Sequence, residues 1–259
     1  MDNELILFHR DLGGAGRPPM IILHGILGSS RNWQTAGADL AAHYHVFAVD
    51  LRNHGASPPA AEMTFAAMAD DVRAWMDSQG LPRAALLGHS MGGKVAMLFA
   101  CRHPERVDRL VVVDIAPKDY ASPGQRAAFA AMNELDLTGL RSRAEAEQRF
   151  TARVPDLGMR KFLTTNLERA APDAWRWQIN LPVLTAALPG LERNPLGPAD
   201  RYAGPVLVIT GGRSPYVQPS DWTAYLEHFP AAAWKVIPES GHNPHMETRA
   251  AFVRAILSP

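Results

Sequence analysis

The chain has 259 residues, of which 47% are hydrophobic and 20% are charged, and its formal net charge is zero. This length and composition are typical of a single globular domain with a large buried core. The balanced charge disfavours nucleic acid or a membrane surface as a partner, because both usually require a basic patch. A single cysteine, Cys101, excludes a disulfide within the chain. Asp2 and Glu4 stand where a signal peptide would carry basic residues, so we expect a cytoplasmic protein.

Short apolar runs, each followed by turn residues, recur along the chain and predict strands. Runs of this length without polar alternation are typical of strands buried on both faces of a parallel sheet. A further strand is expected within Leu5–His9, with its direction undetermined. The other predicted strands are Met20–Leu23, His45–Leu51, Ala84–Leu87, Arg109–Ile115, Val206–Thr210 and Ala233–Ile237.

Stretches with apolar residues three and four positions apart lie between these runs and predict helices. Met91–Arg102 is apolar nearly all round, as expected of a helix packed deep against a sheet. The alternation of strands and helices predicts an α/β fold, a doubly wound and mostly parallel sheet with helices on both faces. The other predicted helices are Ser30–Ala42, Thr64–Gln79, Ser220–Phe229 and His245–Leu257.

Residues 117–202 interrupt this alternation with several helical patterns and no good strand. We predict that they form a helical cap, inserted into a core domain that comprises residues 1–116 and 203–259. The cap is expected to lie over the carboxyl ends of the strands, where open α/β sheets bind their ligands.

A Gly-x-Ser-x-Gly segment, Gly88-His89-Ser90-Met91-Gly92, lies at the junction between a predicted strand and a predicted helix. In this context the serine occupies a strained turn that exposes its hydroxyl, and the flanking glycines remove side chains that would collide there. The helix that begins at Met91 places a backbone N–H beside the reacting centre. Ser90 is therefore the predicted nucleophile.

Two further segments supply the base and the oxyanion hole. His242 follows the last predicted strand and precedes the last helix, where the base of such a site is found. The turn after Met20–Leu23 is the usual origin of the second oxyanion donor, so the N–H groups of Ile26 and Met91 are predicted to form the hole. His24 in the same turn is expected to be structural. His242 and His245 form an HxxH pair, but without a third ligand no metal site is predicted.

Five segments taken together resemble a known family. They are similar, in order and in register, to serine hydrolases of the α/β-hydrolase superfamily, in particular the YbfF-type bacterial esterases and the α/β-hydrolase domain-containing protein 11 group. The resemblance implies an α/β-hydrolase fold and a carboxylic ester hydrolase, and it is weakest across the insertion after Tyr120. The segments are HGILGSSRNW, VDLRNHGASP, GHSMGGKVAM, LVVVDIAPKDY and GGRSPYV.

The acid of the predicted triad has two candidates. Many members of the wider superfamily carry it after the strand before the last, but the turn after Val206–Thr210 contains no carboxylate. The YbfF-like enzymes place their acid in a DIAP-like turn one strand earlier, which corresponds here to Asp114. The resemblance thus implies that Asp114 orients His242, with Asp221 as the alternative.

Five residues are candidates for substrate contact. Asn32 and Trp33 lie near the oxyanion turn, and Tyr216 lies in one of the family segments. Trp175 and Trp177, both in the insertion, either line an acyl pocket or pack the insertion itself. 

Four other conspicuous residues are expected to be structural. Asp50 and Arg52 are expected to fix the loop that follows their strand. Lys94 is expected in an ion pair or at the surface, and Cys101 is expected to be a small buried hydrophobic residue.

The predicted function is hydrolysis of a carboxylic ester through an acyl-enzyme on Ser90. The resemblance implies esters with short to medium acyl chains, with acyl thioesters as a second substrate type. No cofactor and no metal is implied, and the expected partner is a small-molecule substrate. One alternative is a C–C bond hydrolase or menaquinone-pathway-like lyase that uses the same triad. Its acidic substrate would need a basic pocket, for which Arg52 and Arg213 are the candidates. The other alternative is a ligand receptor with vestigial turnover. The sequence does not indicate an oligomeric state.

Overall fold

The structure is a computed structural model that describes residues 5–172 and 174–258. Asp2 and Glu4, on which the expected cytoplasmic location depends, lie outside the described residues. Within the described ranges, no helix combines the length and the apolar character needed to cross a membrane.

Seven strands form one sheet in the order β1-β3-β2-β4-β5-β8-β9, with β1 antiparallel to β3 and every other pair parallel. All six predicted parallel strands are confirmed, to within two residues at either end. The central strand β4 is buried at every residue because helices cover both of its faces. The strands are β1 (His9–Asp11), β2 (Pro19–Leu23), β3 (His45–Val49), β4 (Ala84–His89), β5 (Val107–Val113), β6 (Leu167–Ala171), β7 (Ala174–Trp177), β8 (Val206–Gly211) and β9 (Ala232–Ile237).

The predicted helices are confirmed, with the range Met91–Arg102 correct at both ends. The Thr64 side chain accepts a hydrogen bond from the Ala67 N–H and so caps its helix. The predicted helix His245–Leu257 is divided into two helices at Thr248. The helices are α1 (Gln34–Leu40), α2 (Phe65–Ser78), α3 (Met91–Arg102), α4 (Pro123–Glu134), α5 (Arg143–Arg149), α6 (Leu157–Thr164), α7 (Leu181–Leu191), α8 (Trp222–His228), α9 (Pro244–Glu247) and α10 (Arg249–Leu257), and short 3₁₀ turns cover Ser30–Trp33, Pro104–Arg106, Phe150–Ala152 and Pro219–Asp221.

The first strand covers His9–Asp11, whereas the sequence predicts it within Leu5–His9, so the two ranges share only His9. Its partner β3 ends at Val49, which pairs with His9. The preceding residue, Phe8, is instead held by the loop after β3, because its N–H donates to Ser57 Oγ at 2.8 Å and its carbonyl accepts the Asp50 N–H.

Alternation along the strands separates the interior into two apolar layers. Met20 and Ile22 of β2 face the layer that contains α1 and α10, whereas Ile21 and Leu23 face the layer that contains α2 and α3. Both faces of the sheet are therefore covered, and the carboxyl edge of the strands is left for the site.

The segment between β5 and β8 carries α4 to α7 and, contrary to expectation, an antiparallel hairpin of β6 and β7. The hairpin lacks a continuous apolar run, since Leu167 is the one buried residue of its strands, which explains why the sequence did not reveal it. The segment is bonded to the carboxyl edge of the sheet. Asn166 Nδ2 donates to the Leu27 carbonyl at 2.9 Å, and the Asn180 N–H donates to the Asn53 carbonyl at 3.0 Å. The domain boundaries at 117 and 202 stay a prediction.

Candidate active site

Ser90 lies in a sharp turn between β4 and α3, with φ 52° and ψ −119°. A residue other than glycine rarely adopts a positive φ, and it persists only where the surroundings hold it. Here the Ser90 N–H donates to the Val113 carbonyl of β5 at 3.1 Å. A Cβ on Gly88 would collide with the Gly92 backbone, and one on Gly92 would collide with the Leu23 carbonyl. The two glycines of the motif are thus required by close backbone approach.

The turn after β2 passes directly beside the serine. A Cβ on Gly25 would lie 2.9 Å from His89 Nδ1 and 3.2 Å from Ser90 Cβ, so only glycine fits. Ile26 follows in this turn, and Met91 is the first residue of α3. Both line a cavity together with Ser90, as expected of oxyanion donors.

Asp114 and His242 are in direct contact, with 2.7 Å between His242 Nδ1 and Asp114 Oδ2. Asp114 follows β5 with a φ of 51° and is completely buried. A buried carboxylate requires donors, and this one also accepts the Gly211 N–H at 3.0 Å and the hydroxyl of Ser214. These three hydrogen bonds stabilise the negative charge of the Asp114 carboxylate, which burial would otherwise strongly disfavour.

Asp221, the alternative acid, lies elsewhere. Its carboxylate accepts Lys118 Nζ at 2.6 Å and the Gln218 N–H at 2.8 Å. The geometry therefore favours Asp114 over Asp221 as the partner of His242.

The His242 loop is fixed from three sides. The Tyr216 ring stacks on the imidazole at 3.9 Å between centroids, with 16° between the planes. His89 Nε2 donates to the His242 carbonyl at 2.8 Å, and burial lowers the His89 pKa well below its usual value, so its ring is neutral. The Glu247 carboxylate accepts the N–H groups of Gly241 at 2.6 Å and Asn243 at 3.0 Å. Sequence reasoning missed Glu247, although an acidic residue in the first turn of a helix is typical of such a cap.

His24 and His54 hold the turn after β2 to the loop after β3. His24 Nε2 accepts the Leu51 N–H at 3.0 Å, and His54 Nε2 accepts the Leu27 N–H at 3.3 Å. Burial lowers the His54 pKa to about 3, so the ring accepts as neutral imidazole. Asp50 accepts the Ala56 N–H at 2.8 Å within its own loop, as expected of a residue that fixes that loop, and it also accepts the Ser30 N–H at 2.6 Å.

Two cavities meet at Ser90. The main cavity has a volume of about 350 Å³ and extends from the serine past His242 to the insertion. The small pocket has a volume of about 30 Å³ and extends from the serine towards the end of α7. The side chains that line the main cavity include Ile26, Leu27, Asn32, Trp33, Ala128, Met159, Phe162, Tyr216, His242, His245 and Met246. The small pocket is lined by Ile26, Ser90, Met91, Lys94, Ile115, Tyr120, Ser122, Gln125, Leu191, Glu192 and Tyr216.

Three of the five candidates for substrate contact lie in these cavities. Tyr216 lines both, and Asn32 and Trp33 line the main cavity. Asn32 also accepts the Ser29 N–H at 2.8 Å, and Trp33 stacks on His245 with centroids 4.0 Å apart.

The structure places Trp175 and Trp177, the two other candidates, in the hairpin of the insertion. The Trp175 ring lies 4.6 Å from the Arg169 guanidinium within the insertion. Trp177 lines a surface cleft beside Gly55 and Ala56. Both side chains are half-buried and pack against the larger apolar layer, which favours the second of their two predicted roles, packing of the insertion. Among the described residues, neither lines the main cavity or the small pocket.

Lys94 is buried and, among the described residues, forms no ion pair, contrary to expectation. It is 2% exposed, and its Nζ donates to the backbone carbonyls of Glu192 at 3.1 Å and Arg193 at 2.5 Å, just beyond the end of α7. A cation is favoured there because helix carbonyls at the carboxyl end carry partial negative charge. Burial lowers the Lys94 pKa to about 8. The lysine thus joins the nucleophile helix to the insertion.

The two arginines considered for an acidic substrate do not line the cavities within the described residues. Arg52 is paired with both carboxylate oxygens of Asp71, at 2.5 and 2.7 Å. Arg213 is exposed.

The fold and the geometry at Ser90 define an α/β hydrolase. The family described as "alpha/beta hydrolase fold" matches residues 18–248, and the chain belongs to it. 

Relatives with this fold cover nearly the whole chain. It is 35% identical to the mouse (Mus musculus) sn-1-specific diacylglycerol lipase ABHD11 over 95% of this chain and 82% of that protein. It is 34% identical to the Escherichia coli K12 esterase YbfF over 92% of this chain and 91% of that protein. A solved structure titled "Marine microorganism esterase" superposes with a TM-score of 0.94 at 34% identity, covering 98% of both chains.

Proposed function

We propose that the protein hydrolyses carboxylic esters with short to medium acyl chains through an acyl-enzyme on Ser90. His242 is the base and Asp114 orients it. The observation that carries the proposal is the 2.7 Å contact between His242 and the buried Asp114, with His242 and Ser90 lining one cavity. The general class, a carboxylic ester hydrolase, agrees with the printed names of the relatives.

In the first half-reaction Ser90 Oγ attacks the ester carbonyl carbon, while His242 Nε2 takes the hydroxyl proton. Asp114 accepts the His242 Nδ1–H and so stabilises the imidazolium that forms. The N–H groups of Ile26 and Met91 stabilise the oxyanion. His242 then donates the proton to the departing alkoxide, which leaves as the alcohol. Water repeats the sequence on the acyl-serine and releases the acid.

The lining of the two cavities supports an uncharged substrate. Among the described lining residues the one lysine or arginine is Lys94, whose ammonium already donates to backbone carbonyls. An acidic substrate would find no free cation there, which disfavours the C–C hydrolase and lyase alternatives. Acyl thioesters share the same carbonyl chemistry and are proposed as a second substrate type.

Stopped-flow hydrolysis of p-nitrophenyl acetate, followed by an acid quench, digestion and peptide mass spectrometry, tests the mechanism. A burst of p-nitrophenol equal to the enzyme concentration, with an acetyl adduct on the peptide containing Ser90, is expected. Turnover with neither a burst nor an adduct at any pH would contradict accumulation of an acyl-enzyme. An adduct on another residue would contradict the choice of nucleophile. The absence of turnover in a folded protein would favour the receptor alternative.

A further inference from the structure

The two cavities at Ser90 differ in their relation to the proposed base. His242 lines the main cavity and is not among the described residues that line the small pocket. Conversely, Met91, one of the two proposed oxyanion donors, lines the small pocket and not the main cavity. The two share Ile26, Gln125 and Tyr216, so they join beside Ser90, with His242 at the main cavity and Met91 at the small pocket.

This asymmetry distinguishes the two ends of an ester. In the tetrahedral intermediate, the carbon carries the serine oxygen, the oxyanion, the leaving oxygen and the acyl chain. The leaving oxygen must lie beside His242 Nε2 to receive its proton, and the oxyanion must lie at the N–H groups of Ile26 and Met91. The acyl chain then points away from the histidine, towards the small pocket, and the alcohol occupies the main cavity.

The volumes of the two cavities limit the sizes of the acyl chain and of the alcohol differently. The small pocket has a volume of about 30 Å³. A cavity that binds benzene in a protein interior has about 150 Å³, five times as much. The main cavity, at about 350 Å³, is within the range of ordinary small-molecule sites, about 300–1,000 Å³. An acyl chain of two or three carbons fits the first, and a long or branched alcohol fits the second.

Hydrogen bonds fix the walls of the small pocket. The Tyr120 hydroxyl donates to the Tyr216 carbonyl and accepts the Ala116 N–H, both at 2.8 Å. Glu192 Oε1 accepts the Ser122 N–H at 3.2 Å, and Lys94 binds the backbone that follows Leu191. Moving these walls apart would break several of these bonds at once, so the pocket can be enlarged only by shortening a side chain that lines it.

We infer that the protein selects esters with a very short acyl group and a bulky apolar alcohol. This inference rests on the proposed function, since it takes the roles of His242 and the oxyanion donors from it. It narrows the substrate class from short-to-medium acyl esters to acetyl and propionyl esters of larger alcohols.

Two isomeric esters, octyl acetate and ethyl octanoate, test the inference because they differ only in which side of the ester carries the long chain. The expected kcat/KM for octyl acetate is at least about tenfold higher, the smallest discrimination that one excess methylene typically gives. Equal values, a preference for ethyl octanoate, or activity on p-nitrophenyl acetate with neither isomer hydrolysed would overturn the inference. Inactivity on all three esters would instead contradict the proposed function.

A variant that opens the small pocket sharpens the test. Leu191→Ala removes part of its wall and should raise the kcat/KM for ethyl octanoate relative to octyl acetate by about tenfold. Leu188→Ala is the matched control, since Leu188 is a buried leucine of the same helix that lies outside the lining of either cavity. The same shift in both variants, or no shift in Leu191→Ala, would contradict the assignment of the small pocket to the acyl group. The wild-type comparison stands even if either variant fails to fold.

Discussion

The sheet core and the insertion contribute differently to the site. The core supplies the proposed reacting groups, and it holds two of them in positive φ, 52° at Ser90 and 51° at Asp114. The insertion supplies walls, such as Phe162 and Met159 in the main cavity and Leu191 in the small pocket. The difference indicates that the chemistry is fixed by backbone geometry in the core, whereas the choice of substrate depends on side chains of the insertion.

Buried polar contacts join the two regions. Lys94 reaches from the nucleophile helix to the carbonyls after α7, and Asn166 reaches from the insertion to the oxyanion turn. A change in the core should therefore alter kcat, and a change in the insertion should alter the affinity for substrate. The predictions below test this division.

The largest effect is expected from His242→Ala. Loss of the base should lower kcat for p-nitrophenyl acetate by about 10⁶-fold, because no other group takes the serine proton. Steady-state kinetics of the purified variant measures the loss. Exposed His43→Ala is the control and should retain wild-type kcat. A loss of less than about tenfold at His242 would remove it from the mechanism.

Asp114→Asn should lower kcat by about 10⁴-fold, because an amide NH2 in place of Oδ2 donates to His242 Nδ1, favours the wrong tautomer and carries no charge to stabilise the imidazolium. Asp221→Asn alters the carboxylate bonded to Lys118 and should have little effect on kcat. Circular dichroism and kcat of both variants decide between the two acids. The reverse pattern would show that Asp221 is the acid.

Phe162→Ala should raise KM for octyl acetate by about tenfold and leave kcat nearly unchanged, because it removes apolar contact that substrate and transition state share. Leu157→Ala is the control, since Leu157 lies on the same helix, is 50% exposed and does not line the cavity. A large fall in kcat in Phe162→Ala would contradict the proposal that the core determines kcat and the insertion determines the affinity for substrate.

His245→Phe should reduce the loss of stability in acid. Burial lowers the His245 pKa from 6.5 to about 3, so between these values the unfolded chain binds one proton more than the native protein. Above pH 6.5 this histidine does not change the free energy of unfolding with pH. Between pH 6.5 and pH 3 it lowers that free energy by about 1.4 kcal/mol for each unit by which the pH falls. Phenylalanine keeps the stacking on Trp33 and does not titrate. Urea unfolding at pH 7, 5 and 4 should show a shallower decline in the variant. Parallel declines would contradict a neutral His245.

Much of the core was predictable because each element leaves a local signal. Buried parallel strands are continuous apolar runs, and the nucleophile turn is marked by Gly88 and Gly92, which close backbone approach requires. The contact between Asp114 and His242 could not be derived from spacing, because 128 positions separate the two residues. It was implied by the family resemblance.

The insertion was less predictable for physical reasons. Its hairpin is mostly exposed, so its strands carry no apolar run, and the sequence alone could not decide whether Trp175 and Trp177 line a pocket or pack the insertion. The role of Lys94 was hidden because its partners are backbone carbonyls, which any sequence provides. Ser214 was missed for a related reason, since a hydroxyl that donates to a buried carboxylate is not distinguishable in sequence from a turn serine.

The most direct test of the account is hydrolysis of p-nitrophenyl acetate by the wild-type protein and by Ser90→Ala, with exposed Ser220→Ala as the matched control. Removal of the nucleophile should lower kcat by about 10⁶-fold, to the rate of the uncatalysed reaction, while Ser220→Ala retains wild-type activity. Equal activity of the wild type and Ser90→Ala would contradict the central claim, since the reaction would then proceed without the serine on which the proposed mechanism depends.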